Sequence, residues 1–375
     1  MPEMKRLFVP GLALGVLLMG GCGGGAPAAP SPSASTAPAA AASKPAASTA
    51  ASAPAEAKPS AAASTAPAQL TKIKFATGGS PPDPAFITAY IARDAGIFKK
   101  NGLDVDVQSV QGDQLVTAAL VSGDIQFGEI GVAAGMAAVA QGGNLKFLVA
   151  GTPKLDALLA AKGLKDPKEL QGKAFGISQP GSVSDASARL VLQKLGVDIS
   201  KVDFLPIGGI GNRAKAINAG QVAASGLPSL VTAQLQKTTQ GVNVLASYAE
   251  VLPDFMYVAN MATTDYMQGH QKETAAFVKS IVEASRYLHT NQSESAQIMA
   301  KVVPEATAED IKAAYDKLLK ADAYGVDGGL AQGAYDYTEK QLEDLKALKK
   351  PITYADGVDK QYIDQALKEL GPYKP

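Results

Sequence analysis

Residues 103–150 have the sequence LDVDVQSVQGDQLVTAALVSGDIQFGEIGVAAGMAAVAQGGNLKFLVA, and this stretch decides the fold class. Three short apolar segments of strand length alternate in it with two longer segments that have the length and composition of helices. This alternation is typical of βαβ units with a mainly parallel sheet, so we predict an α/β fold. The predicted strands are residues 103–107, 125–128 and 145–150, and the predicted helices are residues 114–121 and a segment that ends at residue 139.

The same pattern extends toward the N-terminus. Residues 73–76 alternate in polarity and predict a strand, and the Gly- and Pro-rich residues 78–82 predict a loop after it. Asp83 followed by Pro84 is typical of a helix N-cap and first helical position. We therefore predict a helix that begins there and continues through Ile91.

A second α/β unit follows the first. A capping-box pattern from Ser182 to Asp185 predicts the start of its first helix. Because the unit repeats the strand–helix alternation, it predicts a second mainly parallel sheet. Its predicted strands are residues 173–178, 202–207, 222–227 and 242–247, and its predicted helices are residues 182–195 and 212–218.

The C-terminal third is predicted to be mostly helical. Near residues 257–261 the chain is expected to return to a strand of the first unit. After Gly269, one apolar stripe at helical spacing marks a long helix, Thr307 caps another, and residues 362–370 form the last. The stripe consists of Phe277, Ile281, Ala284 and Leu288.

Two units joined by more than one chain crossing predict a pair of hinged lobes. We expect one lobe from residues 70–152 plus 253–375 and the other from residues 153–252. Ligands of open α/β sheets bind at the carboxyl ends of the strands, so two such sheets would enclose a central cleft. Hinge closure around a ligand is a known motion of two-lobed proteins.

The N-terminus predicts export and a lipid anchor. Residues 1–22 have a basic start, an apolar segment of about 13 residues that is shorter than the roughly 20 needed to span a bilayer, and small residues before Cys22. This pattern is similar to a lipobox, in which the cysteine is diacylated; a cleaved signal with an incidental cysteine is the alternative. Residues 23–69 are almost entirely Ala, Pro, Ser, Thr and Gly, so we predict a disordered tether.

Composition excludes several classes of function. Thirty-five acidic and 35 basic residues give zero net charge, which argues against a nucleic-acid partner. The single cysteine rules out an intrachain disulfide and a thiolate zinc site, and His270 and His289 have no ligand cluster beside them. We therefore expect no metal and no cofactor.

Several segments resemble a known family of bacterial solute receptors. Residues 89–103, AYIARDAGIFKKNGL, are similar to its IAxxxGxFxxxGLxV segment, and residues 122–128 and 179–182 also match. Residues 223–228 fall where the family often has DAAxLxxP, but Ala223 replaces the acidic residue. The family is the type II periplasmic binding proteins of the sulfonate, nitrate, taurine and thiamine-pyrimidine-precursor group.

This resemblance implies a two-lobed fold and an extracytoplasmic receptor role. The receptor would capture a small, polar or anionic organic solute and deliver it to the membrane permease of an ABC importer. It would be lipid-anchored, face the periplasm or cell exterior, and act as a monomer without enzymatic activity. Two alternatives stay open: a tethered solute sensor for a membrane kinase, and an enzyme on the same fold.

Five loops that follow predicted strands are the candidate ligand-binding segments. Backbone N–H groups at helix N-termini suit carboxylate, sulfonate or phosphate, although the same glycines and serine also serve turns and caps. The candidate residues, including a proline after a strand and an aromatic wall residue, are Gly79, Ser80, Pro81, Phe86, Gln111, Glu129, Ile130, Gln179, Gly181, Ser182, Val183, Gly209, Asn212 and Pro228.

Some candidate roles stay open at this point. Glu129 is expected to end a buried strand and to pair with a ligand amine or with Arg213 or Lys215 across the cleft. Tyr90 and Tyr257 are candidate aromatic walls, with core packing as the alternative.

The segment from Gly209 to Ala214 fits the dinucleotide motif G-x-G-x-x-A. No acidic residue follows it before Glu250 to hold a ribose, so we reject nucleotide binding.

Overall fold

The computed structural model describes residues 69–374. The predicted signal peptide of residues 1–22, the lipidation site Cys22 and all but the last residue of the predicted tether lie outside the described residues. Within residues 69–374, no helix combines the length and apolar character needed to cross a membrane.

The first sheet has five strands in the order β2-β1-β3-β10-β4. β1 pairs in parallel with β2 and β3, and β10 inserts antiparallel between β3 and β4. Side chains alternate between exposed and buried along the edge strand β2, whereas the central strand β3 is buried throughout. The strands are β1 Thr71–Thr77, β2 Leu103–Ser109, β3 Phe127–Gly131, β4 Leu145–Val149 and β10 Val258–Thr263.

The second sheet repeats this arrangement, with the order β7-β6-β8-β5-β9. β6 pairs in parallel with β7 and β8, and β5 inserts antiparallel between β8 and β9. The chain passes between the sheets after β4 and returns after β9, as the two predicted crossings require. The strands are β5 Leu158–Lys162, β6 Ala174–Ile177, β7 Asp203–Pro206, β8 Ala224–Leu227 and β9 Val242–Ser247.

Helices connect and cover the strands. Three short 3-10 helices span Pro84–Phe86, Pro167–Leu170 and Ile199–Lys201. The α-helices are α1 Thr88–Asp94, α2 Ile97–Lys100, α3 Asp113–Ser122, α4 Val132–Ala140, α5 Val183–Lys194, α6 Ile210–Asn218, α7 Ser229–Thr238, α8 Tyr248–Val251, α9 Thr264–Gly269, α10 Gln271–Thr290, α11 Gln292–Val302, α12 Ala308–Lys320, α13 Gln332–Asp344, α14 Tyr354–Gly357 and α15 Gln361–Leu370.

The core beneath the first sheet is built around α10. Its predicted apolar stripe is confirmed, because all four side chains are fully buried. The Phe277 ring stacks on Phe127 with 4.0 Å between centroids and also packs against Phe75 and Phe98. Burial of such aromatic side chains supplies a large part of the hydrophobic stabilisation of a domain.

The predicted return to the first sheet is confirmed by β10, and Thr307 caps α12 as expected. Several elements were not predicted, among them β5 and α7. Asp83 and Pro84 do cap a helix, but it is the 3-10 turn Pro84–Phe86, and α1 starts separately after it.

The capping box predicted at Ser182 is half formed. The Ser182 hydroxyl accepts a hydrogen bond from the Asp185 N–H at 3.3 Å. The Asp185 carboxylate instead accepts from the Gly181 N–H and from Arg189, so it does not reach back to the Ser182 backbone.

Candidate functional site

A small cavity of about 40 Å³ lies between the two sheets. Most of its wall comes from residues that follow the carboxyl ends of β1 and β2 in the first sheet and of β6, β7, β8 and β9 in the second; Ala157 and Tyr257 come just before β5 and β10. A cavity of this size has room for one or two water molecules. The two sheets are therefore close together at the place where α/β proteins bind ligands.

Arg213, on α6, contributes a buried positive charge to the cavity wall. Its Nη1 donates to the Ser225 hydroxyl at 3.2 Å and to the Gly226 carbonyl, while its Nε has no hydrogen-bond partner among residues 69–374. Burial lowers the pKa of the guanidinium below its ordinary value. Because a buried cation is costly without an anionic partner, this wall is suited to a negatively charged group.

Tyr248, at the start of α8, places a second polar group in the cavity. Within the described part of the chain its hydroxyl has no hydrogen-bond partner, and burial raises its pKa above the ordinary tyrosine value. A Cβ on Gly226 would lie 2.6 Å from this hydroxyl, so only glycine allows the ring to approach β8 so closely. The neutral hydroxyl can donate a hydrogen bond.

Asp113, the first residue of α3, joins the two sheets. Its Oδ1 accepts from the Gly131 N–H at 3.0 Å, and its Oδ2 accepts from the Val183 N–H at 3.3 Å. Burial raises the pKa of Asp113, while these two hydrogen bonds and the charge of Arg213 oppose that rise. The N-terminus of α5, which the sequence predicted as an anion site, is therefore contacted by the protein's own carboxylate.

Two aromatic rings close one side of the cavity. Phe86 and Tyr257 have centroids 5.5 Å apart at an interplanar angle of 60°. A Cβ on Gly79 would lie 2.4 Å from the Phe86 ring, so this glycine is required for the packing rather than for a ligand contact. Tyr90 is buried in the core and does not line the cavity.

Serines after β6 form a small hydrogen-bonded group. The Ser178 N–H donates to the Ser184 hydroxyl at 2.8 Å, and the hydroxyls of Ser182 and Ser184 are 2.9 Å apart. Ser182 also donates to the Gln179 carbonyl at 2.8 Å. The group is thus anchored to its own loop while its members line the cavity.

Glu129 does not pair with Arg213 or Lys215, so that part of the expectation is wrong. It lies in the middle of β3 rather than at its end, and its Oε2 accepts from the Thr77 hydroxyl at 2.8 Å. Burial raises the pKa of Glu129 to about 7, with a smaller contribution from the negative charge of Asp113. The side chain is fully buried and is not part of the cavity wall.

A wider groove of about 670 Å³ lies beside the cavity. It is lined by loops of the first sheet, by α6 and α7, and by the segment between α11 and α12. Asn212 Nδ2 donates to Gln111 Oε1 at 3.0 Å and joins the two sides of the groove.

The candidate residues divide into three groups. Those in the cavity wall are Phe86, Ser182, Val183, Gly209 and Pro228. Those in the groove are Ser80, Pro81, Gln111 and Asn212. Those in neither are Gly79, Glu129, Ile130, Gln179 and Gly181.

The sequence-based list omitted Arg213, Asp113 and Tyr248, which carry the polar chemistry of the cavity. The sequence does indicate that Arg213 is buried, because Arg213 follows Ile210 by three residues and precedes Ile217 by four. This spacing places it in the apolar stripe of α6. Asp113 lies in the same candidate loop as Gln111, but its contact with Val183 depends on how the two sheets face each other.

Comparison with known proteins gives a consistent family and fold. Residues 83–295, more than half of the chain, match the model of the family described as NMT1/THI5 like. The putative binding protein YtlA of Bacillus subtilis is 23% identical over 307 residues, which is 80% of this chain and 91% of that protein.

Solved structures share the architecture at low identity. The ligand binding component of an ABC-type import system from Staphylococcus aureus has a TM-score of 0.68 and 15% identity, covering 79% of this chain and 99% of that one. The alkanesulfonate-binding protein SsuA from Xanthomonas axonopodis, bound to MOPS, has a TM-score of 0.61 and 18% identity, covering 78% and 99%. The predicted periplasmic-binding-protein fold is confirmed.

The same fold also occurs in an enzyme. The desulfurization enzyme DSZB has a TM-score of 0.56 and 11% identity, covering 80% of this chain and all of that one. Likeness of fold therefore does not decide between binding and catalysis.

Proposed function

Because the chain belongs to the NMT1/THI5 like family, we propose that it is the solute-binding receptor of an ABC importer and that it holds a small organic acid between its two sheets. Relatives and structural neighbours whose names describe binding proteins support a receptor role. The chemistry of the cavity supports an acidic solute.

The observation that carries the proposal is the state of Arg213. It is the only Lys, Arg or His side chain classed as buried within residues 69–374, and it forms no ion pair there. The Arg213 Nε and the Tyr248 hydroxyl both lack partners in the described residues, and Arg213 and Tyr248 are both residues of the cavity wall. A carboxylate or sulfonate between them would accept both hydrogen bonds and pair the buried charge.

Access to the cavity requires the two sheets to separate. The cavity of about 40 Å³ is far smaller than an ordinary ligand pocket of roughly 300–1,000 Å³. We assign the moving parts to lobes of residues 70–152 plus 253–375 and residues 153–252. Opening at the two chain crossings would admit the solute, and closure would bring Arg213 onto its acidic group.

The N-terminal pattern supports a receptor that delivers its solute to a permease at the membrane. A signal of residues 1–22 would export the chain, Cys22 would carry two acyl chains, and residues 23–69 would tether the receptor near the membrane. The role includes no catalysis, so the solute would be released unchanged.

Thermal melting with a panel of small acids and their neutral amides tests the proposal. A solute at 100 times its Kd adds about 2.7 kcal/mol to stability, so at least one acid should raise Tm while its amide does not. Arg213→Met should abolish the rise, whereas Arg93→Met, which removes an arginine paired with Asp94 at the surface, should keep it. Mass spectrometry should recover the acid unchanged.

Three results would contradict the proposal. The first is a panel in which no acid raises Tm. The second is an Arg213→Met variant that binds as well as the wild type. The third is conversion of the bound acid into a product.

A further inference from the structure

Two buried carboxylates, one from each lobe, lie where the lobes meet. Asp83 follows β1 in the first lobe and caps the 3-10 turn Pro84–Phe86, and Asp156 precedes β5 in the second lobe. Helix α12 of the first lobe packs against both this 3-10 turn and α7 of the second lobe. The surroundings of the two carboxylates are therefore connected through α12.

The two carboxylates differ in their partners. Asp156 Oδ1 accepts from the Ser229 hydroxyl at 2.5 Å, Asp156 Oδ2 accepts from the Ser229 N–H at 3.2 Å, and the Lys317 ammonium lies 3.5 Å from Oδ1. Asp83 Oδ1 accepts from the Ala85 N–H at 3.0 Å, whereas Asp83 Oδ2 has no hydrogen-bond partner within residues 69–374. The cation and the hydroxyl of this cluster are thus used by Asp156, and Asp83 retains an unsatisfied buried oxygen.

One cation faces two acids in this cluster. Burial and the negative charge of Asp156 raise the pKa of Asp83 from 3.8 to about 7, and the Ala85 N–H and the charge of Lys317 oppose this rise only in part. The other ionisable groups that face Asp83 are the hydroxyls of Tyr257 and Tyr324, which stay neutral because burial raises their pKa values well above the ordinary tyrosine value. A second buried carboxylate beside a single cation is more stable when it carries a proton.

We propose that Asp83 is a proton-binding site that couples closure of the two lobes to the uptake of one proton. When it is protonated, Asp83 is neutral and its side chain remains buried near Asp156 in the closed form. When it is ionised, Asp83 requires water, and separation of the lobes admits water and moves Asp156 away. This inference rests on the lobe motion proposed above and is independent of the identity of the solute.

The direction of the pH dependence follows from the two forms of Asp83. In the open form its pKa returns toward 3.8, so closure takes up a proton between this value and about 7. Closure is most favourable at low pH, becomes less favourable as the pH rises through this window, and no longer depends on Asp83 above it. Between pH 6 and pH 8 the equilibrium constant for closure should fall about tenfold.

Small-angle X-ray scattering of the solute-free protein tests the inference. The radius of gyration is compared at pH 6 and pH 8 in Bis-Tris and Tris chloride buffers, which contain no carboxylate or sulfonate to occupy the cavity. The wild type should have the larger radius at pH 8. Asp83→Asn should have the smaller radius at both pH values, because the amide is neutral and asparagine keeps the N-cap.

Asp83→Ser supplies a second neutral N-cap residue and should give the same result if the amide disturbs the packing. A wild-type radius that is equal at the two pH values would overturn the inference. A pH difference that persists in both Asp83 variants would overturn it as well.

Glu129→Gln is the matched control, because it neutralises another buried carboxylate whose pKa burial raises to about 7. Glu129 lies in the middle of β3, within one lobe, so lobe separation should not change its protonation. We expect this variant to keep the wild-type difference in radius. A difference that is lost equally in Glu129→Gln would overturn the specific role of Asp83.

The outcomes separate the two proposals. If the radius depends on pH through Asp83 but no acid of the panel binds, the proton site stands and the receptor function for small acids fails. If acids bind through Arg213 while the radius of the solute-free protein is the same at both pH values, the receptor function stands and the proton inference fails.

Discussion

The carboxylate of Asp113 accepts a hydrogen bond from the backbone N–H of Val183 at 3.3 Å and thereby connects α3 of the first sheet to α5 of the second. Val183 is the first residue of α5, where the helix dipole and a free N–H favour a negative group. The contact places a protein anion where the two halves meet, beside the cavity that we assign to the solute. Closure of the halves and the charge of the cavity thus depend on the same side chain.

Gly131→Ala should weaken solute binding without a matching loss of fold stability. The added Cβ would lie 2.4 Å from the Val183 Cβ, a clash that separation of the two sheets would relieve, and 2.9 Å from Asp113 Oδ2, a clash that a small shift of this carboxylate would relieve. We expect the Kd for the solute to rise at least tenfold, while the free energy of unfolding in urea changes by less than about 0.5 kcal/mol. Gly333→Ala is the control, since nothing lies within 4 Å of its added Cβ.

An unchanged Kd in Gly131→Ala would show that closure does not need this close approach. A loss of unfolding free energy in place of a loss of affinity would show that Gly131 serves the fold.

Gly226→Ala should destabilise the second sheet through Tyr248. The added Cβ would lie 2.6 Å from the hydroxyl and 2.8 Å from the ring carbon that bears it. We expect a loss of about 1–3 kcal/mol in the free energy of unfolding, typical of overpacking. In a Tyr248→Phe background the loss should be smaller by at least about 0.5 kcal/mol, because one of the two clashes is removed.

Equal losses in the two backgrounds would contradict the assigned contact between Gly226 and the Tyr248 hydroxyl. Urea unfolding of the four proteins of this double-mutant cycle gives the answer.

Glu129 should make the fold less stable as the pH rises. Burial raises its pKa from 4.5 to about 7, so the folded protein binds a proton that the unfolded chain releases between these values. The unfavourable contribution is absent below pH 4.5, grows through this window and is complete above pH 7, where it is on the order of 3 kcal/mol. Glu129→Gln should therefore flatten the fall in stability between pH 5 and pH 8.

Urea unfolding of wild type and Glu129→Gln at pH 5 and pH 8 measures this difference. Asp83, whose pKa burial also raises to about 7, contributes to the wild-type slope in the same direction and stays present in the variant as an internal reference. Parallel slopes in the two proteins would contradict the assignment to Glu129.

Lys317→Met should lower the free energy of unfolding more than Lys312→Met does, although both lysines lie on α12. The Lys317 ammonium donates to the Ser229 hydroxyl at 2.5 Å and lies 3.5 Å from the Asp156 carboxylate, which is buried. Because half of the lysine is exposed, we expect a loss of only about 1–2 kcal/mol. Lys312→Met breaks an exposed pair with Asp316 on the same helix and should cost less than about 0.5 kcal/mol.

Urea unfolding of both variants checks the comparison. If the two variants lose the same free energy of unfolding, the group of Asp156, Ser229 and Lys317 does not strengthen the contact between α7 and α12.

Most of the fold could be predicted because its strands and helices carry local signals. The alternation along β2, the apolar stripe of α10 and the threonine before α12 each act within a few residues. β5 was missed because its sequence, LLAAK, lacks both alternation and β-branched residues. It is a strand because β8 and β9 pair with it on both sides.

The candidate site was predicted by region rather than by residue. The loops after the strands do surround the cavity, since that placement follows from the topology of parallel sheets. The sequence could not show that Asp113 contacts Val183 or that the guanidinium of Arg213 is left with an unpartnered Nε, because both facts depend on long-range packing. Conversely, Gly79 and Gly181 were predicted to contact a ligand, because a glycine that is needed for a turn or for packing has the same sequence pattern as one that approaches a ligand.

A crystal structure of the protein with the acid that raises its Tm most tests the central claim directly. The account predicts the acidic group between the two sheets, with an oxygen about 3 Å from Arg213 Nε and another about 3 Å from the Tyr248 hydroxyl. An acid bound in the groove beside Gln111 and Asn212, with Arg213 still unpaired, would contradict it.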